Sequence, residues 1–171
     1  PPRVKIEISC LSMDEPTELR QIRSLIGESF DGEDTDADSL ARTVVPTRTF
    51  LEKLFLLAEE FQKEKPRSVR MSRHLYDLAK LMDTEYGVEA LSNRTLYDAI
   101  VEHRKAYYAL KYVNYDLHAP STINFTIPES VIGAWQDDYT DMKRFFIYGE
   151  SLEFEALMQK MKELQERVKI L

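Results

Sequence analysis

The amino-acid sequence predicts an α+β fold that is mostly helical, with a few strands near the amino terminus. Two observations lead to this prediction. Residues 4–9 alternate apolar and polar side chains with the two-residue period of a half-buried strand. From Pro46 onward, apolar residues recur at intervals of three and four, which is typical of helices that bury one face. We therefore expect strands within residues 1–45 and a helical domain at residues 46–171.

The rest of the amino-terminal segment carries weaker signals. Residues 19–26 fit either a strand or a helix, and residues 44–45 suggest a short strand. Residues 31–39 combine turn formers with acidic residues and predict a surface loop. The loop holds an alternating acidic string without the glutamate that an EF-hand requires, so we interpret it as a solvated loop. The string consists of Asp34, Asp36 and Asp38.

Three helices are predicted in the first half of the helical domain. In the first, Thr49 and Glu52 have capping-box spacing, and the apolar surface is broad enough to need more than one neighbour. A second helix is predicted near residues 71–83. Asn93 is predicted to cap a third helix, in which His103 falls on the apolar stripe and is interpreted as a core histidine.

The second half of the domain breaks the helical pattern once. Residues 113–130 contain two prolines and an alternating apolar run, which predicts an extended connection laid over the helices. Asp137 and Asp138 are predicted to begin a short helix that runs through Phe146. A last helix is predicted to start near Ser151, with a three-four apolar repeat that suits a helix-helix seam.

Charge and cysteine content restrict the function classes. The chain has 30 acidic and 23 basic residues, so its surface as a whole should repel a nucleic-acid backbone unless a local basic patch exists. Residues 63–73 hold five basic residues and one acid, which predicts either such a patch or a solvated loop. Cys10 is the single cysteine, and no secretory signal or 18-residue apolar run occurs. We therefore expect a cytoplasmic protein without disulfides.

Four residues are candidates for a functional site. Arg73 and Asp77 are four residues apart and share one helix face, and Lys53 on the preceding helix could complete an anion site beside them. The alternatives are a surface ion pair and a lysine whose stem covers apolar surface while its ammonium stays in water. Glu7 would project from the predicted strand toward a metal or a substrate hydroxyl, or would simply be solvated.

Several segments together resemble a known family. VKIEIS, TVVPTRTFLEKLFLLAEEFQ, MSRHLYDLAKLMDTEYG, LYDAIVEHR and WQDDYTDM are similar to segments of the AbiEii/AbiGii nucleotidyltransferase-like toxins of bacterial abortive-infection and type IV toxin-antitoxin systems. The resemblance implies the helical carboxy-terminal half of a polymerase-β-like nucleotidyltransferase fold, preceded by a remnant of its sheet. It also implies that Glu7 is a metal-binding carboxylate and that Lys53 contacts nucleotide phosphates. Arg73 and Asp77 would be the basic and acidic members of a later motif.

The resemblance also implies an activity and its partners. Such a protein would use Mg²⁺ to transfer a nucleotide from an NTP to an acceptor such as tRNA or another RNA, and a cognate antitoxin would neutralise it. The family's first motif, a Gly-Ser turn followed by an Asp-x-Asp strand, does not occur in this sequence. We therefore expect this chain alone to be inactive and to bind Mg²⁺ and NTP poorly. The alternative is a non-catalytic helical domain that binds an antitoxin or self-associates through residues 154–171.

Overall fold

A computed structural model describes Ile6 and residues 17–30, 32–33 and 38–171. The chain divides into two units, Pro1–Val45 and Pro46–Leu171. The strand predicted at residues 4–9, including Glu7, lies outside the described residues apart from Ile6.

The first unit contains an antiparallel pair of strands. Strand β1, Thr17–Arg23, pairs with strand β2, Asp38–Val44, so that Thr17 lies opposite Val44 and Arg23 lies opposite Asp38. Helix α1, Leu25–Ser29, follows β1 and is capped by the Ser24 side chain. The ambiguous segment at 19–26 is therefore a strand followed by the start of a helix. Strand β2 is longer than the two-residue strand predicted before Pro46. It begins at Asp38, so Asp38 does not belong to the predicted loop.

Six helices form the second unit, and the core lies among them. Helix α2 packs against α3, α4 and α5, and α3 also packs against α6 and α7, which makes α2 and α3 the central pair. The largest fully buried side chains come from several of these helices and include Phe50, Phe55, Leu75, Tyr97 and Trp135. The six helices are α2 (Pro46–Glu60), α3 (Ser72–Leu81), α4 (Glu85–Ala90), α5 (Arg94–His103), α6 (Ile132–Phe145) and α7 (Phe154–Lys169).

Helix α2 begins earlier than its predicted capping box. Pro46 occupies the first position, where the fixed φ of proline and its missing N–H are tolerated. Thr49 therefore lies inside the helix, and the capping-box prediction was wrong. Thr47 in the first turn donates a hydrogen bond of 2.9 Å to the Glu89 carboxylate on α4, which ties the start of α2 to its neighbour.

The third predicted helix has a different buried face. Asn93 caps α5 by accepting from the Leu96 N–H, as predicted. His103, however, is only half-buried, whereas Arg104 is buried and opens a π-helical turn at Arg104–Tyr108. The interpretation of His103 as a core residue was wrong because a π turn shifts the helical register locally, and because Arg104 finds buried carboxylate partners.

The extended connection over the helices is confirmed at residues 123–128, whereas Tyr115–His118 within the predicted segment form a 3₁₀ turn. Ile123, Phe125 and Ile127 are all buried, and the intervening residues face outward. The buried Gln165 amide of α7 donates to the Ile123 carbonyl at 2.7 Å and accepts from the Phe125 N–H at 3.3 Å. One side chain therefore satisfies the backbone of a segment that has no sheet partner among the described residues.

The last two helices differ from their predictions in position and role. Helix α6 starts at Ile132 rather than at Asp137, after a 3₁₀ turn at Glu129–Val131. The apolar stripe of α7 is buried within the chain's own core, so the predicted seam at 154–171 is occupied and does not offer a surface for self-association. The buried stripe comprises Phe154, Leu157, Met161, Leu164 and Val168.

Helix α3 is fixed at both ends. At its start, the Asp138 carboxylate of α6 accepts from the backbone N–H groups of Arg70 (2.5 Å) and Ser72 (3.0 Å) and from the Ser72 hydroxyl (2.5 Å). These bonds hold Arg70 at a left-handed φ of 59°. At its end, Gly87 of α4 lies so close that a Cβ there would overlap the backbone of the α3 carboxyl terminus.

Candidate functional site

Lys53 and Asp77 meet between the two central helices. The Lys53 ammonium on α2 lies 2.7 Å from the Asp77 carboxylate on α3, with the side chains 23% and 35% exposed. Lys53 stands beside the fully buried Phe50, Leu54 and Leu57, so its stem lies against the core while its ammonium reaches the surface. Asp77 thus pairs across the helices with Lys53, and not with Arg73 as the spacing along the helix suggested.

Arg73 and His74 extend this pair along α3. Arg73 is exposed, and its Nε donates a long hydrogen bond of 3.5 Å to Nε2 of His74. Burial lowers the pKa of His74 to about 4, with further contributions from the positive charges of Lys53 and Arg73. His74 is therefore neutral at physiological pH, and its Nδ1 has no hydrogen-bond partner within the described part of the chain. Sequence analysis missed His74 because only its contact with α2 distinguishes it.

The exposed face of α3 carries an excess of positive charge. Arg73, Tyr76, Asp77 and Lys80 follow one another at the spacings that place helical residues side by side. The Lys80 ammonium lies 5.6 Å from the centre of the Tyr76 ring. With Lys53, this face presents three cations and one carboxylate, which suits an anion with several oxygens, such as a phosphate chain.

The described residues do not form a magnesium site. No group of three or more acidic, histidine or cysteine side chains among them is arranged to hold a metal ion. Asp77 is the single carboxylate on the cation-bearing face of α3, and it is already paired with Lys53. Glu7, the predicted metal ligand, lies outside the described residues, so no step of a metal-dependent reaction is assigned to the face of α3.

A second ionic cluster is buried away from this face. Arg104 hydrogen-bonds both carboxylate oxygens of Glu59, at 2.7 and 2.5 Å, and also contacts Glu52. Burial opposes the charge of Arg104, but the hydrogen bonds and charge of Glu59 outweigh it and raise the pKa of the guanidinium. Glu52 in turn accepts from Arg48 at 3.0 Å. This cluster joins α2 to the π turn and has a structural role. The sequence signal that could have indicated this cluster is the pair Glu52 and Glu59, two acids seven residues apart on an apolar helix.

The predicted basic patch at residues 63–73 is partly neutralised. Lys63 pairs with Glu60 at 2.7 Å, and the backbone N–H of Arg67 donates to the same carboxylate at 2.6 Å. The guanidinium of Arg70 lies 5.9 Å from the ring centre of Phe146, and Arg73 belongs to the α3 face described above. Both interpretations, a nucleic-acid patch and a solvated loop, therefore stay open.

These observations define a mostly helical α+β protein with a cation-bearing face built on two central helices. A family model described as "Nucleotidyl transferase AbiEii toxin, Type IV TA system" matches residues 1–160. The chain therefore belongs to the AbiEii family of nucleotidyl transferase toxins of type IV toxin-antitoxin systems, which confirms the resemblance noted from its segments. No curated protein and no solved structure matches the chain.

Family membership carries general expectations. Nucleotidyl transfer uses a nucleoside triphosphate and a divalent metal, and a type IV toxin implies a partner antitoxin. Within the described residues, no helix has the length and apolar character needed to cross a membrane.

Proposed function

We propose that this chain supplies the nucleotide-binding helices of a nucleotidyltransferase toxin that modifies an RNA acceptor. Lys53 and Arg73 contact the triphosphate, and Asp77 orients Lys53. The observation that carries the proposal is the 2.7 Å pair between Lys53 and Asp77, which holds an ammonium at the surface of two central helices beside Arg73. Family membership supports the reaction type.

As far as the described residues show, the two cations keep donors for a phosphate. A lysine ammonium has three N–H donors, and the pair with Asp77 occupies one of them. A guanidinium has five, and Arg73 uses its Nε–H toward His74, which leaves the forked NH1 and NH2 groups for two phosphate oxygens. Since His74 is neutral, it accepts this bond without adding a charge that would repel Arg73.

In the proposed reaction, a hydroxyl of the acceptor attacks the α-phosphorus of the NTP and loses its proton to water. The bond to the β-phosphate breaks, and pyrophosphate leaves with the bonding electron pair. Lys53 and Arg73 stabilise the negative charge that accumulates on the leaving group. Mg²⁺, when bound, would screen the phosphates and activate the attacking hydroxyl.

Four parts of the proposal depend on the family alone. The acceptor is tRNA or another RNA by analogy with related toxins, and a cognate antitoxin is the neutralising partner. Glu7 would be one metal ligand, and residues 1–45 would be a remnant of the nucleotidyltransferase sheet. The Gly-Ser turn and Asp-x-Asp strand of the first motif do not occur in this sequence, so we propose that this chain alone does not turn over.

The test measures transfer of label from each of four α-³²P-labelled NTPs to bulk tRNA by the protein as its gene encodes it. Lys53→Ala should lower transfer at least about 100-fold, because a missing charge contact to the transition state costs several kcal/mol. Lys160→Ala is the matched control, since Lys160 pairs with Asp83 at 2.9 Å and its side chain is 34% exposed. Wild-type transfer by Lys53→Ala, or an equal loss in both variants, contradicts the proposed role.

A further inference from the structure

A small cavity adjoins the cation-bearing face of α3. It has a volume of about 190 Å³ and lies between α3, α6, α7 and the segment that connects α6 to α7. Most of its lining is aromatic or aliphatic, and a single charged side chain, Lys80, stands among the lining residues. They are Tyr76, Ala79, Lys80, Tyr139, Leu152 and Leu157.

The walls of this cavity are held in place by the fold. The Tyr139 hydroxyl donates a hydrogen bond of 2.8 Å to the Leu152 carbonyl, and the Tyr139 ring packs against the Phe154 ring with the ring centres 6.1 Å apart. Leu157 is fully buried. Tyr76 is half-buried and Lys80 is exposed, so these two residues form the solvent side of the cavity. The result is a mostly apolar cavity with one ammonium beside it, a composition typical of small-molecule sites.

The cavity and the phosphate-binding residues share one helix. Tyr76 follows Arg73 by three residues, and Lys80 follows Tyr76 by four and Asp77 by three, so all are nearest neighbours on the helix surface. Arg73 and Lys80 are separated by roughly 10 Å along the axis, at 1.5 Å per residue. A ligand whose phosphates lie on Lys53 and Arg73 can therefore place an attached ring at Tyr76 without leaving the face of α3.

We infer that this cavity binds the base of the nucleotide whose phosphates contact Lys53 and Arg73, and that Lys80 favours a base with a ring carbonyl. The inference rests on the proposed function. A lysine ammonium only donates hydrogen bonds, so it pairs best with the carbonyl oxygen of uracil, cytosine or guanine. Adenine has no carbonyl oxygen and offers only ring nitrogens as acceptors, beside an exocyclic amino group that is itself a donor. The tyrosine rings supply stacking, which is tolerant of the ring type.

The test uses the protein as its gene encodes it and compares the binding of ATP, GTP, CTP, UTP and inorganic tripolyphosphate by calorimetry at low salt. Tripolyphosphate reports the phosphate contacts alone. Ala79→Leu fills the cavity and should weaken NTP binding about 10-fold, which is the effect expected for the loss of stacking by one base. Tripolyphosphate binding should be unchanged. Lys80→Met keeps the aliphatic stem and should reduce the preference for carbonyl-bearing bases over ATP. Lys105→Met, an exposed lysine on the π turn, is the control and should change neither.

The outcomes separate this inference from the proposed function. If tripolyphosphate binds as tightly as every NTP, or if Ala79→Leu leaves NTP affinity unchanged, the base-binding inference is wrong while the phosphate site stands. If Lys53→Ala does not weaken tripolyphosphate binding, the proposed function itself fails. Should Ala79→Leu not fold, Tyr76→Ala replaces it with the same expectation, because it removes the exposed stacking surface.

Discussion

Replacing Arg104 should destabilise the helical unit more than replacing any exposed arginine. Arg104 and Glu59 are each 5% exposed, and their forked pair has two hydrogen bonds at 2.7 and 2.5 Å. Arg104→Met removes the positive charge and leaves the Glu59 carboxylate buried without its main partner. His118 lies 3.9 Å from Glu59 and does not hydrogen-bond it; burial lowers the pKa of His118, while the charge of Glu59 raises it and that of Arg104 lowers it further.

The expected magnitude follows from the loss of one member of a buried ion pair. Such a loss typically costs about 3–5 kcal/mol, a large part of the roughly 5–15 kcal/mol that stabilises a domain. At about 2–4 °C per kcal/mol for a chain of this size, Tm should fall by roughly 6–20 °C. The double variant Glu59→Gln with Arg104→Met should recover part of this loss, because it removes the unpaired charge.

The assay is urea unfolding followed by the fluorescence of Trp135, the single tryptophan, which is fully buried in the same unit. The control is Arg94→Met. Arg94 also pairs with a carboxylate, because its Nε–H donates to both oxygens of Asp98 at 2.8 and 2.9 Å. This pair is about half exposed, so at most about 0.5 kcal/mol should be lost. A free energy of unfolding for Arg104→Met within about 1 kcal/mol of the Arg94→Met value would refute the reasoning.

Two further predictions concern the surroundings of α3. Because the pKa of His74 is lowered to about 4, the unfolded chain binds one more proton than the folded chain between about pH 6.5 and 4. The stability that neutral His74 contributes is therefore full above about pH 6.5 and is lost on acidification. Between pH 7 and pH 5, the free energy of unfolding of His74→Gln should therefore fall by about 2 kcal/mol less than that of wild type, as measured by urea titrations. Identical pH profiles of the two proteins would contradict this. Asp138→Ala removes three hydrogen bonds at the start of α3 and should lower the free energy of unfolding by about 1–2 kcal/mol, whereas the neighbouring exposed Asp137→Ala should cost less than about 0.5 kcal/mol. Equal effects of the two substitutions would show that the cap does not contribute.

The sequence patterns predicted those parts of the fold that depend on local periodicity. The stripe of α7 and the alternation of Ile123, Phe125 and Ile127 were recognised because each buried residue recurs at a fixed interval along one element. The strand boundaries and the start of α6 were less well predicted. At those places a proline, a turn or a distant partner decides where the element begins, and periodicity carries no information about it.

The sequence selected residues that the structure brings to one face, but it did not predict their contacts. The sequence singled out Lys53, Arg73 and Asp77, and the structure brings Lys53 and Asp77 together with Arg73 on the same face. The pairing of Asp77 with Lys53 depends on how α2 packs against α3, which no local pattern reports. The same holds for the burial of His74 and for the carboxylate partners of Arg104, which are distant from it in sequence.

The two anchors of α3 have a consequence for how a ligand would associate. Asp138 holds its first turn and Gly87 lies against its last, so the helix cannot rotate or slide to follow a bound molecule. A ligand then meets side chains whose backbone is already in place, and the entropic cost of binding is limited to a few side-chain rotamers. Association should accordingly be a single kinetic phase whose rate rises linearly with ligand concentration, without a plateau set by a slow rearrangement of the protein.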